Sequence, residues 1–380
     1  MKYCSECLQP DTRPNTIFQN GVCPACVYSK TNGNHNSAVV NYVDNVNAFK
    51  NYIKPYLAND RPYDCVLGVS GGKDSTSQAL FARDVLGLNP ILVCLLFPPL
   101  LVSRLGTHNL ANLSRLGFNI HIIQISPDDW RKMMYLGLQK YGNPLTSTEQ
   151  ALYCSVPQFA IREGYKLILW GENPALQLGD MNQLGSDAFD GDKLRKANTI
   201  KDGNVDWCQE IWGEIKSLER YKYPTSQEYE RHGLKTAYMG PAMSDWSMIN
   251  NTRRSALNGF DCRNEKSINI GDNWGAMALD QNITVTNQRV KYLKFGFGRM
   301  TDYMNDQIRN GMIDRQSAIN YVERYDGKCT SAYMLKLSKY FGISYSELWN
   351  ILDKFVNKKL FMKKNIDTYE PLFEVGVGLK

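Results

Sequence analysis

Two groups of residues in this sequence have types and spacings that could do chemistry. The first is Ser70-Gly71-Gly72-Lys73-Asp74-Ser75, inside "VLGVSGGKDSTSQAL" at 66–80. Two glycines remove side chains just after an apolar run, and a lysine, an aspartate and hydroxyls crowd the same turn. Bare amides at the start of a helix make a site for an anion, most often phosphate. The stretch is not a Walker A loop. With Lys73 in the lysine place, Leu67 stands where glycine is needed and Asp74 where serine or threonine is needed. It is not a dinucleotide fingerprint either, because Gly68, Gly71 and Gly72 have the wrong spacing. The second group is Cys4, Cys7, Cys23 and Cys26, which read C-x2-C-x15-C-x2-C. Two such turns aim four thiolates at one point, the closed tetrahedron of structural zinc. Four thiolates also suit an iron–sulfur cluster. In either case the metal is expected to staple a polar lobe too small to fold alone.

The elements that must hold the glycine turn follow from the pattern around it. "DCVLGVS" (64–70) is apolar and rich in strand formers, as a strand buried on both faces should be. Residues 74–88 read as a helix with Leu80, Phe81, Val85 and Leu88 on one face. Asp74 and Ser75 suit the positive end of its dipole. Further strands are expected at 90–97, 119–125 and 166–172, and helices at about 105–117, 128–141 and 146–163. Strands alternating with helices predict an α/β fold with a doubly wound parallel sheet. Ligands in such sheets bind beyond the carboxyl ends of the strands. That places Ser70–Ser75, the residues after Phe97, and Glu172 with Asn173 on one rim. Glu172 and Asn173 are candidates for contact with Mg2+ or substrate.

The second half is less regular. From 174 to 285 aromatics are frequent and periodicity is weak, so the stretch either shapes a ligand pocket or packs as a helical subdomain. Arg289, Lys291, Lys294 and Arg299 then fall where no acid stands between Asp280 and Asp302. "KFGFGR" is read as a basic loop that brings Lys294 and Arg299 to a phosphate, against the simpler reading of a solvated basic face. Asp314 is expected to cap a helix ending at Gly327. Residues 331–357 look like a helix-turn-helix, but the second helix has few basic residues early on, so a packed helical hairpin is expected. The chain divides into a cysteine lobe (1–35), an α/β domain (36–175), a substrate-shaping region (176–285), and a basic loop with C-terminal helices (286–380).

Composition is that of a globular protein with a sizeable core. The net charge of +6 over 380 residues permits an anionic ligand but is slight for a nucleic-acid binder. "MKYCSECLQP" has no apolar signal core, and the longest apolar run, 90–102, is too short to span a bilayer. A cytoplasmic protein is expected, and its ten cysteines are not a disulfide framework.

Ser70 to Ser75 after a strand resembles the pyrophosphatase loop (PP-loop) of ATPases that cleave ATP to AMP and pyrophosphate. Together with the cysteine quartet, "GEN" at 171–173, "KFGFGR" and a helix ending "YDG", the sequence from about 1 to 330 resembles the N-acetyl sugar amidotransferases, the WbpG/PseA-like proteins of surface-polysaccharide and flagellin-sugar biosynthesis. The resemblance implies a PP-loop sheet of the adenine nucleotide alpha hydrolase type, with a zinc lobe and a helical C-terminal region. It implies ATP and Mg2+ at Ser70, Gly71, Gly72, Lys73, Asp74 and Ser75, with Ser70, Lys73 and Asp74 serving catalysis. The substrate would be a nucleotide-linked N-acetyl sugar whose acetamido group becomes acetamidino. Ammonia would come from a separate glutaminase through a barrel-type subunit like the histidine-biosynthesis synthase, since Cys65, Cys94, Cys154, Cys208, Cys262 and Cys329 form no glutaminase motif. The competing assignment is a tRNA-modifying PP-loop enzyme, a thiolase or lysidine-type synthetase. Against it stand the mild charge and the lack of any C-x-x-C beyond Cys26.

Overall fold

The structure, a computed structural model, describes residues 1–31, 42–171, 185–197, 200–243 and 245–380. Helix α1 (Pro24–Thr31) belongs to the cysteine lobe, and α2 (Tyr42–Ile53) leads into β1 (Cys65–Gly68). Then follow α3 (Lys73–Asp84), β2 (Pro90–Leu95), α4 (Arg104–Arg115), β3 (Ile120–Ile123), α5 (Pro127–Tyr141), α6 (Thr146–Glu163) and β4 (Leu167–Trp170). The expected alternation is therefore present. A fifth strand, β5 (Lys235–Tyr238), was not read from sequence. The sheet order is β3-β2-β1-β4-β5, and every pair is parallel.

Successive strand residues face opposite layers. Cys65, Leu67, Leu92, Cys94, Leu167 and Leu169 pack with Phe49, Ile53, Leu80 and Phe81 of α2 and α3. Val66, Ile91, Val93 and Ile168 pack with Met133, Met134, Cys154 and Phe159 of α5 and α6. Both faces are covered, which is why β1 and β2 are buried throughout. Cys65 and Cys94 are core residues, and burial pushes the Cys94 thiol up to about 12. β1 ends at Gly68, with Val69 N still bonded to Val93 O of β2 at 2.9 Å, and the Trp170 ring crosses Gly68. A Cβ on Gly68 would lie 2.5 Å from that ring.

The rest of the chain adds α7 (Ser226–His232), α8 (Met248–Leu257), α9 (Ile283–Phe295), α10 (Arg299–Arg309), α11 (Arg315–Tyr325), α12 (Ser331–Phe341), α13 (Tyr345–Asp353) and the hairpin β6 (Phe361–Lys363)–β7 (Tyr369–Pro371). The basic segment expected as a loop is helical as far as Phe295. Only Gly296–Gly298 break it, and the cause lies 28 residues on in sequence. The Asp326 carboxylate accepts from the amides of Gly298 (2.7 Å) and Met300 (2.9 Å) and from the Thr301 hydroxyl (2.7 Å). It thereby caps α10 from a distance. Gly327 follows in a left-handed conformation, where a Cβ would stand 2.2 Å from the Tyr292 ring. The "YDG" sequence is thus a bracket for the turn. Asp314 caps α11 through Ser317 N (2.8 Å), as the sequence predicts, and Ser344 caps α13 through Glu347 N (3.1 Å). Met334, Leu337, Leu348, Trp349 and Leu352 sink into the main core, so α12–α13 is a packed hairpin.

The cysteine lobe sits on these C-terminal helices. Leu8 is buried against Met300, Tyr303 and Met304, a burial that contributes about 2 kcal/mol. Its amide donates to Asn305 Oδ1 at 2.7 Å. Arg315 donates to the carbonyls of Cys7 (3.2 Å) and Gly376 (2.9 Å). Arg13 pairs with Asp302 and lies 4.5 Å over the Phe297 ring. Among the described residues, no helix is long and apolar enough to cross a membrane.

Candidate active site

β1 hands the chain to Ser70, Gly71 and Gly72, and α3 begins at Lys73. Gly71 has φ +76°, and a Cβ there would lie 2.8 Å from the Leu110 amide nitrogen of α4. Backbone meets backbone, and only glycine permits both the approach and the torsion. The Ser75 hydroxyl ties the loop, accepting from Ser70 N (3.4 Å) and donating to Gly72 O (3.1 Å). Gly71→Ala is expected to weaken ATP binding at least 10-fold and to cost about 1–3 kcal/mol of stability. Calorimetric titration and urea unfolding would measure both.

Lys73 is buried, 3% exposed, and pairs with Asp74. The other Asp74 oxygen accepts from Asn251 Nδ2 at 2.9 Å. Asn251 comes from α8, which lies along α3. Ser255 donates to Lys73 O at 2.6 Å. Arg254 donates to Ser77 Oγ at 2.6 Å and holds both oxygens of Asp245 at 2.8 Å. Paired amides fix the far end of α8. Asn109 exchanges bonds with the backbone of Asp261 (3.0 and 2.8 Å), and Asn112 donates to Asn258 O (2.7 Å). These α8 contacts were not legible as site residues. A Ser247 cap, accepting from Asn250 N at 3.1 Å, was the available signal for the helix.

A cavity of about 220 Å³ opens above the carboxyl ends of β1, β2 and β4. Ser70, Gly72, Lys73, Asp74 and Ser75 line one side. Tyr153, Trp170 and Tyr238 give it an aromatic wall, with Tyr153 and Trp170 ring centroids 5.6 Å apart. Gln78 and Tyr238 line it as well, and Gln78 Oε1 and Tyr238 OH have no hydrogen-bond partner among the described residues. Buried polar atoms without partners fit a site completed by a polar ligand. A nucleotide suits the donor set: bare amides and a lysine for phosphates, a carboxylate for a divalent cation, aromatic faces for a base. Ala278 and Asp280, from the C-terminal half, close the opposite side.

The other candidates are placed as follows. Glu172 and Asn173 lie outside the described residues, and the chain leaves β4 through Gly171, which lines the cavity. Lys294 does not line it. Its ammonium donates to Tyr141 O at 2.6 Å and lies 5.7 Å from the Phe355 ring centroid. Arg299 begins α10, and its charge bears on Asp280.

The four sulfurs of Cys4, Cys7, Cys23 and Cys26 lie within 4.8 Å of one another, all buried. Cys7 and Cys23 are 3.7 Å apart. Metal–sulfur bonds of about 2.3 Å in a tetrahedron put thiolates about 3.8 Å apart, so the residues fit one ion. Glu6 N and Cys23 N donate to Cys4 Sγ (3.4 and 3.3 Å), and Gln9 N to Cys7 Sγ (3.4 Å), as suits thiolates. Bonds from the neighbouring thiols hold Cys4 well below its ordinary value and push Cys26 up. A cation would let all four ionise.

Residues 278–373 match the family described as LPS biosynthesis protein WbpG-like, C-terminal domain. Residues 45–139, which carry the phosphate loop, match NAD synthase. No curated protein sequence matches the chain significantly. Among solved structures, NMN synthetase from Francisella tularensis is 14% identical over 59% of this chain and 97% of its own, with a TM-score of 0.29. The U34-tRNA thiolase NcsA from Methanococcus maripaludis, solved with its 4Fe-4S cluster, is 14% identical over 87% and 90%, with a TM-score of 0.27.

Proposed function

We propose that this ATP-using PP-loop enzyme, NAD-synthase-like across its phosphate loop and WbpG-like at its C-terminal end, is an amidotransferase acting on a nucleotide-linked N-acetyl sugar. Its product carries an acetamidino group and feeds surface-polysaccharide or flagellin-sugar biosynthesis. The observation that carries this reading is the shared cavity. The loop suited to pyrophosphate and residues of the WbpG-like domain line the same space.

The chemistry follows from the groups present. An amide carbon is a poor electrophile, and its oxygen a poor leaving group. The acetamido oxygen attacks the α-phosphorus of ATP, forming an O–P bond as pyrophosphate departs. Amides at Gly71 and Gly72 with the Lys73 ammonium stabilise the charge that builds on pyrophosphate. Ser70 and Ser75 hydroxyls bind phosphate oxygens. Asp74, steadied by Asn251, would hold Mg2+, which neutralises phosphate charge when bound. Trp170 and Tyr153, which line the cavity, would offer aromatic faces to adenine. Ammonia then adds at the activated carbon, and AMP leaves. Zinc in the cysteine lobe is structural. A separate glutaminase and a barrel-type subunit supply ammonia.

The deciding assay combines ATP, ammonium and a panel of UDP- and CMP-linked N-acetyl sugars. AMP must form with pyrophosphate, and the sugar must become lighter by about 1 Da as oxygen is replaced by NH, since attack falls at the α-phosphorus. Formation of ADP would overturn the mechanism. The tRNA-modifying alternative predicts AMP release dependent on tRNA instead. No cysteine lines the cavity among the described residues, which favours the sugar reading over sulfur transfer.

A further inference from the structure

Among the described residues lining the cavity, the acids are Asp74 and Asp280. Asp74 is accounted for by Lys73 and Asn251. Asp280 stands on the other side, and nothing in phosphate binding uses it. A carboxylate beside a triphosphate is repelled unless a positive charge comes between them.

Its position is built with care. Ser103 N donates to Asp280 O at 2.8 Å, and Ser103 Oγ donates to Leu279 O. Val102 bridges Gln281. A Cβ on Gly106 would lie 2.4 Å from Asp280 Cα, so the first turn of α4 is bare where this segment crosses it. Ala278 holds φ +46°, a left-handed backbone that costs a non-glycine residue about 1–3 kcal/mol. Strain of this kind, set in a cavity wall, places the side chains beside it. The amides of Asp280 itself and of Gln281 donate to its carboxylate, the charged groups bearing on it are Arg299 of α10 and Arg263, the Cys94 thiol of β2 feels its charge, and Lys73 and Asp74 line the same cavity.

We propose that Asp280 is the base that takes the proton from ammonia as it adds to the activated amide carbon. The inference rests on the amidotransferase reading above. The ammonia lone pair forms the new C–N bond, and the imidate C=N pair moves onto its own nitrogen. The incoming nitrogen is then cationic. The carboxylate of Asp280 takes one proton from it. The neutral amine's lone pair drives C–O cleavage, and AMP leaves with that electron pair, giving the amidinium. One proton passes to Asp280 and must go to solvent before the next turnover. Burial raises the carboxyl of Asp280 to about 6 despite the amides of Asp280 and Gln281 and the charges of Arg299 and Arg263, so it is a stronger base than an ordinary aspartate and still ionised at neutral pH.

The test separates the two half-reactions. Sugar-dependent exchange of labelled pyrophosphate into ATP reports adenylation alone. Amidine formation with ammonium chloride reports both steps. Asp280→Asn is expected to change exchange by no more than several-fold while amidine formation falls about 100-fold or more. At fixed free ammonia, the wild-type rate should fall below about pH 6, and this limb should be absent from the residual activity of the variant. Asp280→Glu should recover part of the rate. Equal loss in both assays would put Asp280 in the ATP and metal site and overturn the proposal. Unchanged amidine formation would overturn it too. Wild-type protein that exchanges pyrophosphate with no N-acetyl sugar would sink the amidotransferase reading itself, which is a distinct result.

Discussion

Asp74→Asn is expected to lower AMP-forming cleavage of ATP by about 1000-fold, with the chain still folded. The side chain sits at the first turn of α3, one oxygen toward Lys73 and the other on Asn251 Nδ2. Asparagine keeps the shape and can still accept from Asn251, so the loop should stay in place. What it loses is charge, and with it the hold that Asp74 would have on a divalent cation. Lys73 is buried and would lose its counter-charge, at a cost of about 1–3 kcal/mol given that Asp74 is 21% exposed. Saturating ATP should return much of that stability, because phosphate can replace the carboxylate beside Lys73. Pyrophosphate release and urea unfolding, each with and without ATP, would check both parts. Near-normal turnover would remove Asp74 from the metal site.

Cys7→Ser should have the second large effect, on stability and not first on chemistry. Bound metal should drop from one ion per chain to none, measured by plasma mass spectrometry. One zinc in the wild type would settle the metal, and four irons would replace it with a cluster. Stability should fall by several kcal/mol. Isolated zinc modules gain about 10–16 kcal/mol from their ion, only part of which is coupled here to the larger fold. The damage should spread into the C-terminal helices. Leu8, which packs on Met300, Tyr303 and Met304, follows Cys7 directly, and Arg315 bonds the Cys7 carbonyl. Limited proteolysis should therefore cut near α10 and α11 sooner in the variant. An unchanged melting temperature would deny the lobe its structural role.

These residues were legible because their signal is local. Six consecutive positions announce the phosphate loop, two C-x-x-C turns announce the metal site, and four apolar runs announce most of the sheet. Asn251, Arg254 and Ser255 were not legible. Asn251 and Arg254 meet α3 across 177 positions, and Asn251 and Ser255 turn a polar face inward, so no apolar stripe marks α8. β5 is four residues long and lies in an aromatic stretch. The Thr225–Glu228 capping box just before it was the clue that its neighbourhood was regular. The sequence reads Lys294 and Arg299 as cations brought to a phosphate, with a solvated basic face as the simpler alternative. Asp302 lies 2.5 Å from Lys291, and the Tyr141 carbonyl takes Lys294. Such partners become visible only after folding. The distant cap from Asp326 starts α10 directly after the Gly296–Gly298 break, so a glycine-rich basic segment is helical on both sides of one short turn.

The dock of the cysteine lobe spans nearly the whole chain: Leu8 meets Asn305 across 297 positions. A ribosome adding roughly 5–20 residues per second needs on the order of 15–60 s to make the intervening stretch. During that interval the quartet is already outside the exit tunnel while its resting place has yet to be translated. A metal ion that binds the quartet can therefore load before the lobe is seated. A cell short of the metal during this window would finish each copy with its first segment unanchored.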